Sequence, residues 1–189
     1  MRRSFLRTAL LSLVIALGLV VSPRQAASQI FVEVAGGAGS TRTWGQFIYP
    51  NPLMDYWWTI RSQYFLKASE LQFHGMTPGQ ITSLAFRIRT AQPYASRLVT
   101  IKIRQTTNAG LTNPQTDAGM TTVYTNPAYQ LPLFTNTPQW ITFNFQTPFM
   151  WDGTSNLHIE FCTYRTGYTY VFPDYEYTKP TPIYETQTF

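Results

Sequence analysis

Cysteine is nearly absent from this chain: Cys162 stands alone among 189 residues, so no disulfide can close within the sequence. In an oxidising compartment such a residue is a buried small hydrophobe, a free thiol, half of an intermolecular bridge, or a thiol whose partner lies outside the sequence. Histidine is nearly as scarce, and His74 and His158 lie too far apart in sequence to form a nitrogen-sulfur cluster with one thiol. No metal and no cofactor is expected. Gly36-Gly37 carries no phosphate-loop lysine behind it, so it reads as a turn.

Long apolar runs are missing except at the start, where Arg2, Arg3 and Arg7 precede an apolar stretch from Thr8 to Val21 and a small-residue exit at Ala26-Ala27-Ser28. That order is the pattern of a secretory signal peptide over residues 1–28, with Gln29 as the new terminus. The apolar stretch is shorter than the roughly 20 residues that span a bilayer, so no membrane span is expected after removal of the leader. The leader also holds four of the fourteen basic residues, and without Arg2, Arg3, Arg7 and Arg24 the charge is nearly balanced against nine acidic residues. The basic pI therefore says nothing about the mature chain, and nucleic acid is not an expected partner.

Charged residues make up only 12% of the sequence while 16% is aromatic, and 13 prolines and 11 glycines punctuate it, a composition of many short strands separated by turns with few long helices. Residues 29–189 suffice for one domain. In the stretch from Gln139 to Cys162, Ile141, Phe143 and Phe145 alternate with polar residues, and after Asp152-Gly153 so do Leu157, Ile159 and Phe161. Two strands with one apolar face each need a second sheet to cover them, which predicts an all-β, antiparallel, two-sheet β-sandwich.

The other segments follow. Residues 56–66 alternate as a long strand with Tyr56, Trp58, Ile60, Tyr64 and Leu66 on one face, Trp57, Thr59, Arg61 and Gln63 on the other, and Phe65 as the exception. The one helical spacing in the mature chain is 68–74, ended by Gly75. Leu84, Phe86 and Ile88 together with Val99, Ile101 and Ile103 predict a hairpin that shares its buried face with the central pair, and its outer face would gather Arg87, Arg89, Lys102 and Arg104. These four cations have two readings: a patch for an anionic ligand, or a solvated face that discourages edge pairing. Thr106 to Gly119 reads as a surface loop, Thr121 to Thr125 as a strand ended by Asn126-Pro127, and Asp152-Gly153 as turn chemistry. A tyrosine-rich tail with alternation at 168–172 and 183–189 supplies the last strands.

The ordered segments RSQYFLKASEL, GQITSLAFRI, VTIKIRQTT, TTVY and WITFNFQTPFMWDGTSNLHIEFC resemble a jelly-roll-like β-sandwich module found in large secreted bacterial proteins, often exported by the type IX system. The resemblance runs from about Tyr49 to about Tyr164 and is most specific at PFMWDGTSNLHIEFC. It implies an adhesive or accessory module without catalytic residues, secreted or held at the cell surface beside other domains of a larger protein. Modules of this kind continue through a further strand, often with another cysteine, which implies that this sequence lacks its last strand.

His158, Glu160 and Cys162 share one strand face, but residues four apart on an extended strand lie roughly 13 Å from each other, beyond direct proton transfer. Asp174 and Glu176 have the spacing of a carboxylate pair that any alternating acidic strand would show. The aromatic surplus is the functional lead: Tyr56 and Trp57, with Tyr175 and Tyr177, are the candidate residues for binding a glycan or surface polymer by ring stacking, and the competing reading is that these rings cover a sheet edge or an adjoining domain.

Overall fold

In a computed structural model of the chain, residues 40–42, 53, 59–90, 97–111, 115–133, 138–165, 174–177 and 184–188 are described, all within the compact unit Phe31–Phe189. They form β1 (Ser40–Arg42), β2 (Thr59–Leu66), α1 (Ala68–Phe73), β3 (Gly79–Thr90), β4 (Arg97–Thr106), β5 (Thr121–Tyr129), β6 (Gln139–Trp151), β7 (Asn156–Tyr164), β8 (Asp174–Tyr177) and β9 (Tyr184–Thr188). The proposed leader at 1–28 and the residues Tyr56 and Trp57 lie outside the described residues.

Two antiparallel sheets result, one in the order β1-β8-β3-β6 and one in the order β5-β4-β7-β2-β9. Among the described strands, β4 to β5 is the sole connection between neighbours in one sheet; every other step along the chain crosses to the opposite sheet. The first eight strands thus follow the order of a jelly roll, a long two-stranded ribbon folded over on itself, with β9 added beside β2.

This topology corrects the expected hairpin. β3 pairs with β6 and β8, whereas β4 pairs with β5 and β7, so residues 84–88 and 99–103 face each other from different sheets. The central pair divides the same way, with β6 in the four-stranded sheet and β7 in the five-stranded one. The residues expected in the core are there: Ile88, Ile141 and Phe143 from one side meet Val99, Ile101, Ile103, Leu157, Ile159 and Phe161 from the other, with Leu84, Phe86 and Phe145 half-buried against them. Alternation dictates which face is apolar but not which strand lies beside it. Phe143 sits at the centre, its ring 5.2 Å from those of Phe161 and Tyr129 and 5.4 Å from that of Tyr124.

Asp152-Gly153 is consequently the arch between the sheets. The Asp152 carboxylate accepts from the backbone N–H of Thr154 and of Ser155, both at 2.7 Å, and from the Ser155 hydroxyl at 2.6 Å, while Trp151 Nε1 donates to the Ser155 carbonyl at 2.8 Å. Gly153 turns the chain at φ +83°, in a spot where a Cβ would run into the ring of Pro78. Helix α1 ends as the sequence indicates: the Met76 N–H reaches the Leu71 carbonyl and the Gly75 N–H that of Gln72, a Schellman motif around Gly75 at φ +86°.

Pro127 does not end its strand. β5 continues to Tyr129 through a bulge in which Pro127 and Ala128 oppose Leu98 alone, and the Asn126 side chain accepts from the Ala128 N–H at 2.9 Å. β5 is an edge strand, and there the missing proline N–H costs no ladder bond.

Candidate functional site

The outer face of the five-stranded sheet is built from the odd positions of β2 and the even positions of β4 and β7. The register lays them out in rows: Phe65, His158 and Arg104; then Gln63, Glu160 and Lys102; then Arg61, Cys162 and Thr100. An exposed face of this kind would be solvated, yet His158 and Glu160 are 1% exposed, Gln63 is fully buried, and Phe65 is buried on the side away from the inter-sheet core. Bonded onto this face is the loop between β4 and β5, of which residues 107–111 and 115–120 are described. Phe65, the exception to the alternation of β2, is a buried apolar residue on this outer face, and Leu111 of the loop is buried as well.

Glu160 organises the cluster. Its carboxylate forms an ion pair with Arg61, whose Nε donates to Oε2 at 2.6 Å, and accepts from Gln63 Nε2 at 2.8 Å and from the Cys162 thiol at 3.4 Å; Lys102 Nζ stands 3.7 Å from the other oxygen. Arg61 and Gln63 both also donate to the Gln115 carbonyl, at 2.6 and 2.8 Å, and Gln63 Oε1 accepts the Gln115 N–H at 2.9 Å. Lys102 bonds Asp117 at 2.6 Å, Arg104 donates to the Ala118 carbonyl at 2.9 Å, and Asn156 donates to the Asn108 carbonyl at 2.7 Å. The loop is tied down from β2, β4 and β7 together. Burial alone would raise the Glu160 carboxyl, but the bonds from Arg61 and Gln63 win and hold it below the usual carboxylate value. Asp117 is held low by Lys102.

The chemistry open to this cluster is limited. Burial, reinforced by the adjacent Glu160 charge, pushes the Cys162 thiol up to about 12, which keeps it in the unreactive protonated form. Arg104 Nε donates to His158 Nδ1 at 3.1 Å, so Nδ1 must be the acceptor and the ring proton sits on Nε2, which is buried without a partner. In that tautomer neither nitrogen is free to serve as a base or metal ligand, and burial with the Arg104 charge lowers the imidazole to about 4. Among the described residues no group of three or more His, Cys, Asp or Glu is arranged to hold a metal ion.

The four cations do not form one patch. Arg87 and Arg89 lie on β3 of the four-stranded sheet, while Lys102 and Arg104 lie on β4 of the other and are engaged with the loop. The four share one face only where β3 and β4 pair as a hairpin, and the crossover topology places these strands in different sheets. Of the aromatic candidates, Tyr175 and Tyr177 stand on β8, where Tyr175 is the register partner of both Arg42 and Ile88, and Tyr177 that of Ser40.

No protein-family model, curated protein or solved structure matches this chain.

A second surface is the outer face of β3 and β6. Trp140 is 40% exposed and pairs in register with the exposed Arg87; beyond it come Thr142 with Ala85 and Asn144 with Ser83. The indole thus stands at one end of a row of short side chains. Sequence reasoning missed Arg61, Gln63, Gln115 and Asp117, although the placement of Arg61 and Gln63 on one strand face and the His158-Glu160-Cys162 triplet on another was a signal: two such faces side by side bury charge only if something covers them.

Proposed function

We propose that this protein is a secreted, non-catalytic recognition module that binds a glycan or another cell-surface polymer, exported by its N-terminal leader and operating beside other domains of a larger protein. The Trp140-Arg87 pair carries this reading. An exposed indole above short side chains offers a flat apolar plane for a sugar ring, and the neighbouring guanidinium and the Asn144 amide supply polar contacts at its rim. The non-catalytic part of the reading draws on the protonated thiol of Cys162 and the locked tautomer of His158.

A structural spacer without a ligand of its own is the alternative, favoured by the outer face of the five-stranded sheet, whose polar groups are used to fasten the chain's own loop. Glycan-array binding by the wild type, Trp140→Ala and Trp57→Ala separates the two. Loss of binding in Trp140→Ala with an unchanged thermal melt supports recognition on this face; loss in Trp57→Ala alone moves the site off it, and no binding by the wild type supports the spacer.

A further inference from the structure

We infer that the described parts of the β4-β5 connection, residues 107–111 and 115–120, form an acid-released strap, latched by the ionised Glu160, that leaves the sandwich before the sandwich itself unfolds and uncovers Glu160 with its neighbours His158 and Cys162. The latch differs from an ordinary surface loop in where its bonds originate. Arg61 and Gln63 each touch Glu160 and Gln115 at once, so the carboxylate orients the two side chains that hold the loop's backbone. Lys102 is shared in the same way between Asp117 and Glu160. The strap itself contributes one buried apolar residue, Leu111, among its described positions. The sandwich beneath is held by the inter-sheet core, to which Leu111 does not belong. A segment fastened by polar and charge-assisted bonds, with little apolar burial among its described positions, opens at lower free energy than the core.

The charges facing Glu160 set the direction. Arg61 on β2, Lys102 and Arg104 on β4, His158 and Cys162 beside it on β7, and Asp117 on the strap surround it, while Glu185 on β9 is the register partner of Phe65. Three cations are balanced by Glu160 and Asp117. Protonating either acid leaves cations crowded together, and protonating His158 adds another next to Arg104. All three events act in the same sense. Because both carboxylates are held below their ordinary values, the latch is fully present above the usual carboxylate range and is lost as pH falls through the lowered values.

Hydrogen-exchange mass spectrometry of the full chain from neutral to acid pH, corrected for intrinsic rates, tests this. Peptides covering 107–120 should lose protection at a higher pH than peptides from β4, β6 and β7. Glu160→Gln should release the strap already at neutral pH, by about tenfold or more in exchange rate, as expected for losing a charged hydrogen bond. Asp117→Asn, an exposed position that leaves the sheet intact, should do the same more weakly at 115–120, and in both variants maleimide labelling of Cys162 at neutral pH should speed up. Strap and core peptides losing protection together at every pH, or strap exchange unchanged in both variants, would overturn the proposal.

Discussion

Gln146 of β6 and Thr125 of β5 are joined across the sandwich by two reciprocal hydrogen bonds, the Thr125 N–H donating to the Gln146 side-chain oxygen and the Gln146 amide donating to the Thr125 carbonyl, both at 2.7 Å. A side chain here imitates a neighbouring strand. β6 is freed for this contact by an irregularity in which residues 145–148 face Thr82 alone, so Gln146 swings over the edge of the other sheet and occupies backbone groups that an edge strand leaves open. Gln146→Ala should cost about 1 kcal/mol in denaturant titration, two exposed bonds being partly replaced by water, and the Thr125 amide should exchange faster. An unchanged Thr125 exchange rate would show that the pair is not formed in solution.

Phe143→Ala should cost about 3–5 kcal/mol in urea or thermal unfolding, because the ring is fully buried and touches aromatic rings of both sheets. A loss under about 1 kcal/mol would mean that the ring does not bridge the sheets.

Replacing glycines by alanine at Gly153 and Gly75 gives an internal comparison. Both have positive φ, but only at Gly153 does a Cβ meet the Pro78 ring; at Gly75 the space is open. Gly75→Ala should cost about 1 kcal/mol for the left-handed backbone alone, and Gly153→Ala distinctly more, about 2 kcal/mol or above. Equal melting temperatures for the two variants would contradict the packing of the arch against Pro78.

Asp152 supplies an acid-sensitive contribution to stability. The Ser155 hydroxyl, then the backbone N–H groups of Ser155 and Thr154, hold its carboxyl down to about 2, below the value it has in an unfolded chain. The stabilisation is therefore complete above the ordinary carboxylate range and disappears as pH falls from about 4 towards about 2. Asp152→Asn keeps one acceptor oxygen but loses the charge, so its urea midpoint should be flatter over that interval than the wild type's. Superimposable pH profiles would count against the turn.

Much of this fold is legible in the alternation of apolar residues. Ile101, Ile103, Leu157, Ile159 and Phe161 occupy inward positions as their spacing indicates, and the short helix stops at Gly75. Pairing was less legible, because a jelly roll separates strands adjacent in sequence: β3 and β4 satisfy the same alternation whether they lie side by side or face to face. The polar cluster was half visible. His158, Glu160 and Cys162 share a face in any extended reading, but the burial of that face depends on a loop whose polar composition resembles that of any solvated connection, and only Phe65 hinted at a cover.

The crossing connections also set how the chain must search for its structure. With β4 and β5 as the described pair formed from neighbours in sequence, most of the remaining ladder joins distant segments; Arg61 and Glu160, 99 positions apart, meet only after β2 finds β7. Closing such intervals costs chain entropy before any packing offsets it, so relative contact order is high and refolding belongs on the millisecond-to-second scale of all-β sandwiches. The β4-β5 hairpin can close early at little entropic cost, while the β1-β8 and β2-β9 pairs each join an early segment to a late one and form only after that long interval closes. Mutations at Val99 or Val123 should accordingly slow folding, and those in β9 should mainly speed unfolding.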